Sequence, residues 1–281
     1  MIFLVLLLTI AAYKLLGWHL KPEHDQWFFQ LSNGLYARLK DWPRLAMLLA
    51  LLLPLVIVGV ILNATKDWLF GFVGVLLHVV ILFYAFGRVN LLKQLCSYLE
   101  HWRSGDYQSA YHHAQQQFSS ELEFAATDTN SLHLSCCRGL LYQWFEQVFV
   151  IIFWYLLAGP LAALFVRLLS LYERNYQASK EGGLQLLYLV EWLPVRLMAL
   201  TYAIAGNFSQ TFKTLVTVIT DFTMPTDDVL LKTGLAATGV EEAEMSRLNK
   251  EQKAQQLETL QRLQVRCLIV CVVLVALLTI L

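Results

Sequence analysis

The chain has 281 residues, 57% of them hydrophobic and only 15% charged, with a mean hydropathy of +0.53. Soluble domains carry about 45–50% apolar and about 25% charged residues, so the composition excludes a disordered chain, a secreted disulfide scaffold and an ordinary soluble enzyme. Lys and Arg balance Asp and Glu to a net charge of +0, which removes the basic field that recruits nucleic acid. The expected environment is the lipid bilayer, and the expected fold class is an all-α integral membrane protein with about five or six membrane segments.

A span needs roughly 20 apolar residues, about 17–25 with tilt. Met1–Leu16 comes first, broken only by Lys14, which can snorkel to the interface. Without a basic leader or a small-residue cleavage site it reads as a retained helix. Trp18–Arg44 is a short amphipathic connector, and Leu45–Leu62 and Leu69–Gly87 form an antiparallel hairpin across the link Asn63–Trp68. The polar stretch 88–138 reads as a cytoplasmic helical hairpin inserted into the membrane domain. Its helices are Asn90–Trp102 and Tyr107–Phe124, broken at Arg103–Asp106, with Asp106 as N-cap after Gly105.

Gln143–Phe165 is the fourth segment and Leu186–Ala205 the fifth. A second polar stretch, 206–265, reads as cytoplasmic and ends in a helix from Glu241, with Met245, Leu248, Leu257, Leu260 and Leu263 on a thin apolar stripe. Leu268–Leu281 closes the chain; as a helix it rises only about 21 Å, so it crosses obliquely or stops partway. The alternation of a β-barrel is absent, and the whole reads as a single membrane domain, 1–281.

With the N-terminus outside, the basic residues of the connections fall on the cytoplasmic side, except Lys66, Arg167, Arg174 and Lys180. The three near 167–180 would sit on the wrong side, which suggests that segments four and five form a broken or re-entrant hairpin shielded by protein.

The nucleotide-loop and zinc-protease patterns are absent, so no cofactor and no metal site are expected. Cys267 and Cys271, one helical turn apart in an apolar run, read as packing residues. Cys136 and Cys137 are adjacent, the wrong spacing for zinc. His101, His112 and His113 read as solvated helix faces, and His78 inside the third segment as a hydrogen-bonding partner for a neighbouring helix.

The informative stretch lies in segments four and five. Glu146, Arg167, Glu191 and Arg196 are ionisable groups in apolar surroundings, each costly there unless paired. Gly159-Pro160 and Pro194 interrupt the two helices. Broken helices with charges at the breaks are a known way to build a polar site inside a bilayer. Glu146, Gly159, Pro160, Arg167, Glu191, Pro194 and Arg196 are therefore the candidate ligand-binding residues. The expected alternatives are an ion pair, Glu191 with Arg167 or Glu146 with Arg196, or a bound anionic small molecule held by the arginine forks.

The run Phe-Trp-x5-Gly-Pro-x2-Ala-Leu-x2-Arg at 153–167, followed by Glu-Trp-Leu-Pro-Val-Arg-Leu at 191–197 and the Trp102-Arg103-x-Gly105-Asp106 turn, resembles the AmpE family. That resemblance implies a multi-pass bacterial inner-membrane protein with a regulatory or sensory role. It would be linked to peptidoglycan recycling and β-lactamase induction and could act with a membrane-protein partner. The family is similar in turn to the CobD/CbiB membrane enzymes, which join an aminopropanol unit to a corrinoid in an ATP-dependent amidation. Pro194, Arg196, Leu197 and Glu146 match that pattern. Gln147, Val150, Ser170–Glu173 and Glu191 depart from it, and most of the carboxylates that would hold Mg²⁺ are lost. A regulator is the expected function, with a membrane-embedded amide-forming enzyme as the alternative.

Overall fold

The computed structural model describes residues 2–16, 25–65, 72–86, 91–118, 128–176, 183–240 and 242–280, and all regular structure among them is helical. In chain order the helices are α1 Ile2–Leu16, α2 Gln26–Arg38, α3 Pro43–Ala64, α4 Phe72–Ala85, α5 Leu91–Ser104, α6 Tyr107–Phe118 and α7 Thr129–Trp144. A π-helical turn, Phe145–Phe149, joins α7 to α8 Val150–Ala158; then come α9 Pro160–Tyr176, α10 Gly183–Ala205, α11 Phe208–Thr220 and α12 Thr226–Thr238. A 3₁₀ turn, Glu242–Arg247, precedes α13 Lys250–Ile280. The link residues 66–68, the ends of segment three at 69–71 and 87, the 119–124 end of the second hairpin helix, His19, His24 and Glu241 lie outside the described residues.

Among the described residues four helices are long and apolar enough to cross a membrane: Pro43–Ala64, Thr129–Ala158, Leu186–Ala205 and Lys250–Leu277, with Phe3–Ala12 and Phe72–Ala85 as shorter apolar helices. Three differences from the sequence reading have local causes. Segment four begins at Thr129 and ends at Ala158, because Gly159 takes a left-handed φ of 80° that only glycine adopts without strain. Pro160 then starts α9 at a position where its missing N–H costs nothing. Segment five is not broken: α10 continues through Pro194 as one helix. The expected polar helix starts at Lys250 rather than Glu241, with Met245 in the 3₁₀ turn and Leu248 outside any helix, and it runs on into the hydrophobic tail as one helix, α13. No Gly or Pro interrupts 250–280, and Asn249 and Gln252 cap its start reciprocally, each side chain accepting from the other's backbone N–H at 2.9 Å.

The chain divides into two compact units, 1–89 with 150–190 and 90–149 with 191–281. In the first, α2, α3, α4, α9 and the start of α10 share a core of Phe28, Leu51, Ile81, Leu168, Leu169 and Leu187. Lipid is as apolar as these side chains, so dispersion and polar contacts, not water exclusion, hold the helices together. The polar contact is a clasp at the start of α2: Asp25 accepts from Arg167 Nη2 at 2.8 Å and from the Tyr84 hydroxyl at 3.2 Å. His78 meets the Tyr155 hydroxyl at 3.4 Å, as expected of a neighbouring-helix partner.

In the second unit α5 and α6 pack as a helical hairpin, with Gly105 at φ 85° and Asp106 accepting from the Ser109 backbone N–H at 3.0 Å. The α5 side chains Tyr98 and Trp102 are buried and stacked. Trp102 Nε1 donates to the Lys250 carbonyl at 3.0 Å, which pins α5 to the start of α13. Cys136, Cys137, Cys267 and Cys271 are buried free thiols, in keeping with a packing role. Arg138 of α7 forms an ion pair with Asp227 and, at 2.7 Å, with Asp228 in the first turn of α12.

Gly206, between α10 and α11, lets the backbone close on α12: a Cβ there would lie 2.5 Å from the Ala237 carbonyl oxygen, which accepts from the Asn207 N–H at 2.9 Å. Gly206→Ala must move main chain against main chain. We expect a fall in the detergent melting temperature of several degrees, whereas Gly34→Ala, with open space around its Cβ position, should leave it unchanged.

Candidate functional site

On α7 and the π-helical turn, positions 142 and 146, and 143 and 147, fall one turn apart on one helix face, so Tyr142, Gln143, Glu146 and Gln147 form a polar stripe. All four are buried, as is Glu191 of α10. The Tyr142 hydroxyl donates to Glu191 Oε1 at 2.9 Å in the interior. A carboxyl group buried in this way is costly unless hydrogen-bonded, and the tyrosine hydroxyl supplies that bond. One turn earlier, Gln264 of α13 donates to the Leu140 carbonyl at 3.1 Å. The second unit thus carries, inside two candidate spans, the buried Tyr142–Glu191 hydrogen bond, and α7, which supplies the tyrosine, runs on through buried Glu146 and Gln147 in a turn wound one residue wider than an α-helix. Turns of this kind recur at functional sites.

Arg196 lies one turn and a half further along α10 and uses its guanidinium differently from the expected pairings. Nη1 donates to the Trp192 carbonyl and Nη2 to the Asp221 carbonyl, both at 2.9 Å. Its planar head stacks on Trp192, 4.1 Å from the ring centroid, and Trp192 in turn stacks on Phe222 at 5.6 Å. Arg167 belongs to the first unit, where its partner is Asp25, neither glutamate. Both arginines satisfy carbonyl or carboxylate oxygens supplied by segments distant in sequence.

The remaining candidates are conformational. Pro194 has no N–H, so the Val190 carbonyl one turn before it loses its helical donor; the Trp154 indole donates there instead, at 3.1 Å. Gly159 and Pro160 make the α8–α9 turn. The residues that sequence reasoning passed over are Tyr142, Gln143 and Gln147, legible as the same face as Glu146, and Asp25, Trp154, Asp221 and Gln264, which no local signal could have indicated. Among the described residues no group of three or more His, Cys, Asp and Glu side chains is placed to hold a metal. His101 and His113 do approach, with ring centroids 6.3 Å apart.

A family model, that of the regulatory signalling modulator protein AmpE, matches residues 1–281. The chain belongs to the AmpE family. It is accordingly a multi-pass helical protein of the bacterial inner membrane, in agreement with its four apolar spans. No curated protein and no solved structure matches the chain, so the site of this family member is read from its own geometry.

Two measurements test these contacts. Removing one partner of a buried ion pair costs roughly 3–5 kcal/mol because the survivor stays uncompensated. Arg167→Met should therefore lower the detergent melting temperature sharply, and adding Asp25→Asn should recover most of the loss; equal melting of parent and single variant would remove the clasp. In the α5–α6 hairpin, burial and then the neighbouring His101 hold His113 below its ordinary value of 6.5. A depressed histidine favours the neutral form in the fold, so the hairpin loses stability as pH falls below about 6.5. Hydrogen exchange of 91–118 should speed up between pH 7 and pH 5, and His113→Gln should flatten that dependence.

Proposed function

We propose that this AmpE-family protein is a membrane-embedded regulator of the response to cell-envelope stress, linked to peptidoglycan recycling and β-lactamase induction. We place its responsive site at the cluster of Tyr142, Glu146, Gln147 and Glu191. The observation that carries this reading is the buried Tyr142–Glu191 hydrogen bond beside the π-helical turn. A switch needs an element with two arrangements that a ligand or proton can bias. Closing a π-helical turn into α-helix changes the register by one residue and rotates the helix beyond it by about 100°. A group competing for Glu191, or a proton on it, trades against the Tyr142 hydroxyl and biases that register. Arg167 and Arg196, expected to grip an anion, are already engaged by Asp25 and the Asp221 carbonyl. The ligand that suits the glutamates is therefore one that donates hydrogen bonds.

The proposed orientation keeps the 88–138 hairpin in the cytoplasm, in line with the basic residues of the connections. An impermeant maleimide applied to intact cells should leave Gln108→Cys unlabelled until the membrane is opened. The function itself is tested by β-lactamase induction in a deletion strain. Induction should change on deletion, return with the parent gene, and fail to return with Glu191→Gln or Tyr142→Phe at equal membrane abundance. Unaltered induction in the deletion strain would defeat the regulatory reading, and rescue of a strain lacking the CobD/CbiB enzyme would replace it with the enzymatic one.

A further inference from the structure

We propose that the apolar face of α11, made by Phe208, Phe212, Val216 and Ile219 with Phe222 beyond its end, is the contact between two copies of this chain. The face meets the same residues of a second copy across a two-fold axis, and the adjoining stripe of α10 widens the contact.

The fold of the second unit builds the face. At about 100° per residue, Phe208, Phe212, Val216 and Ile219 fall within one quarter of the α11 circumference, and each is exposed. Thr211, Leu215 and Val218 on the adjoining side are buried. Only Gly206 and Asn207 separate α11 from α10. The far end of α11 returns to that helix, where Arg196 Nη2 donates to the Asp221 carbonyl at 2.9 Å and Phe222 stacks on Trp192 with rings 5.6 Å apart. Leu193, Leu197, Leu200 and Ile204 form an exposed stripe on that stretch of α10, so the two stripes run side by side.

The depth of α11 decides what covers it. α11 packs on α12, which is held at its start by Arg138 through Asp227 and Asp228. At the end of α12 the Gln256 amide donates to the Thr238 hydroxyl at 2.8 Å. α11 is therefore level with the half of α13 that carries Lys250, Glu251, Lys253, Glu258 and Arg262, not with its apolar end. Charges at this density belong outside hydrocarbon, so acyl chains do not cover the face. Helices that rest on lipid headgroups carry Lys and Arg along their polar side. That side of α11 carries Ser209, Gln210, Thr214, Thr217 and Thr220, with Lys213 as the helix's one charge. The surroundings that remain are water and protein.

Area and symmetry choose between them. The side chains of the two stripes and Phe222 are 38% to 62% exposed. Large apolar side chains carry roughly 150–200 Å² each, so together these offer on the order of 800 Å². That exceeds the few hundred Å² a monomer leaves open and equals the share of each partner in a stable complex. Three phenylalanines and no charge within the face are the composition of an interface core. A second copy is the partner that always stands at the right level. Copies enter the membrane in one orientation, so the two-fold axis runs along the membrane normal and each face meets its own image. With a net charge of +0, no bulk repulsion opposes the pairing.

The test uses the full-length protein in a Cys96→Ser background, since the other cysteines are buried. Val216→Cys, at the middle of the face, is oxidised with copper phenanthroline in isolated membranes. Thr217→Cys on the polar side of α11 and Val273→Cys on the exposed side of α13 serve as references for chance collision. Position 216 should give disulfide-linked dimer in at least threefold higher yield than either reference, and equal yields would overturn the proposal. Should the 216 variant misfold, Phe212→Cys and Ile219→Cys give the same comparison. A second measurement needs no substitution in the face: Gln108→Cys is labelled with one dye and the protein is placed in sparsely loaded vesicles. Two bleaching steps per particle are expected, falling to one when Phe212→Ser and Ile219→Ser are added with helix content unchanged. One step for the parent at every dilution would overturn the pairing, and two steps that survive the double substitution would move it to another surface and overturn it equally.

Discussion

A main-chain carbonyl that loses its helical donor needs another one, and the arrangement of this protein depends on where such carbonyls are released and what meets them. Pro194 releases the Val190 carbonyl, and the Trp154 indole meets it. The end of α11 releases the Asp221 carbonyl, and the Arg196 guanidinium meets it. Each irregularity is tied to a donor carried by another element, so a break that would weaken an isolated helix instead fixes how two helices lie against each other.

The same constraint governs the ionisable residues. A buried arginine is tolerated when oxygens meet its guanidinium: Arg167 finds the Asp25 carboxylate, and Arg196 finds the Trp192 and Asp221 carbonyls and stacks on the Trp192 ring. Glu191 meets it differently. Glu191 takes a tyrosine hydroxyl, a neutral donor that gives up its hydrogen bond more readily than an ion pair would. The contrast sets Arg167 and Arg196, held by carboxylate or carbonyl oxygens, against Glu191, whose partner is a hydroxyl, and the regulatory reading proposed for Tyr142, Glu146, Gln147 and Glu191 rests on it.

Local chemistry was legible in the sequence wherever a residue acts on its own neighbours. Composition identifies the bilayer, runs of apolar residues overlap all four long apolar helices without giving their bounds, Gly159 ends a helix and Asp106 starts one, and the 153–167 and 191–197 motifs point to the AmpE family that the full-length match establishes. The glutamates and arginines were recognisable as costly and therefore significant, because their burial follows from the apolar runs around them.

Which oxygen each arginine would meet was decided only by the tertiary structure, because a guanidinium fork accepts any well-placed carbonyl or carboxylate and sequence distance does not rank them. Asp25 stands in a connector 142 residues before Arg167, and the Asp221 carbonyl belongs to the main chain, which leaves no trace in residue identity. The same holds for Pro194: the sequence shows a missing donor, but a helix that finds a replacement in Trp154 continues where an unsupported one would break. Threonine-rich α11 reads as polar by composition, and folding turns its hydroxyls onto its own carbonyls. Residue types determine which groups need partners in a low-dielectric solvent; packing of distant helices determines which partners they find.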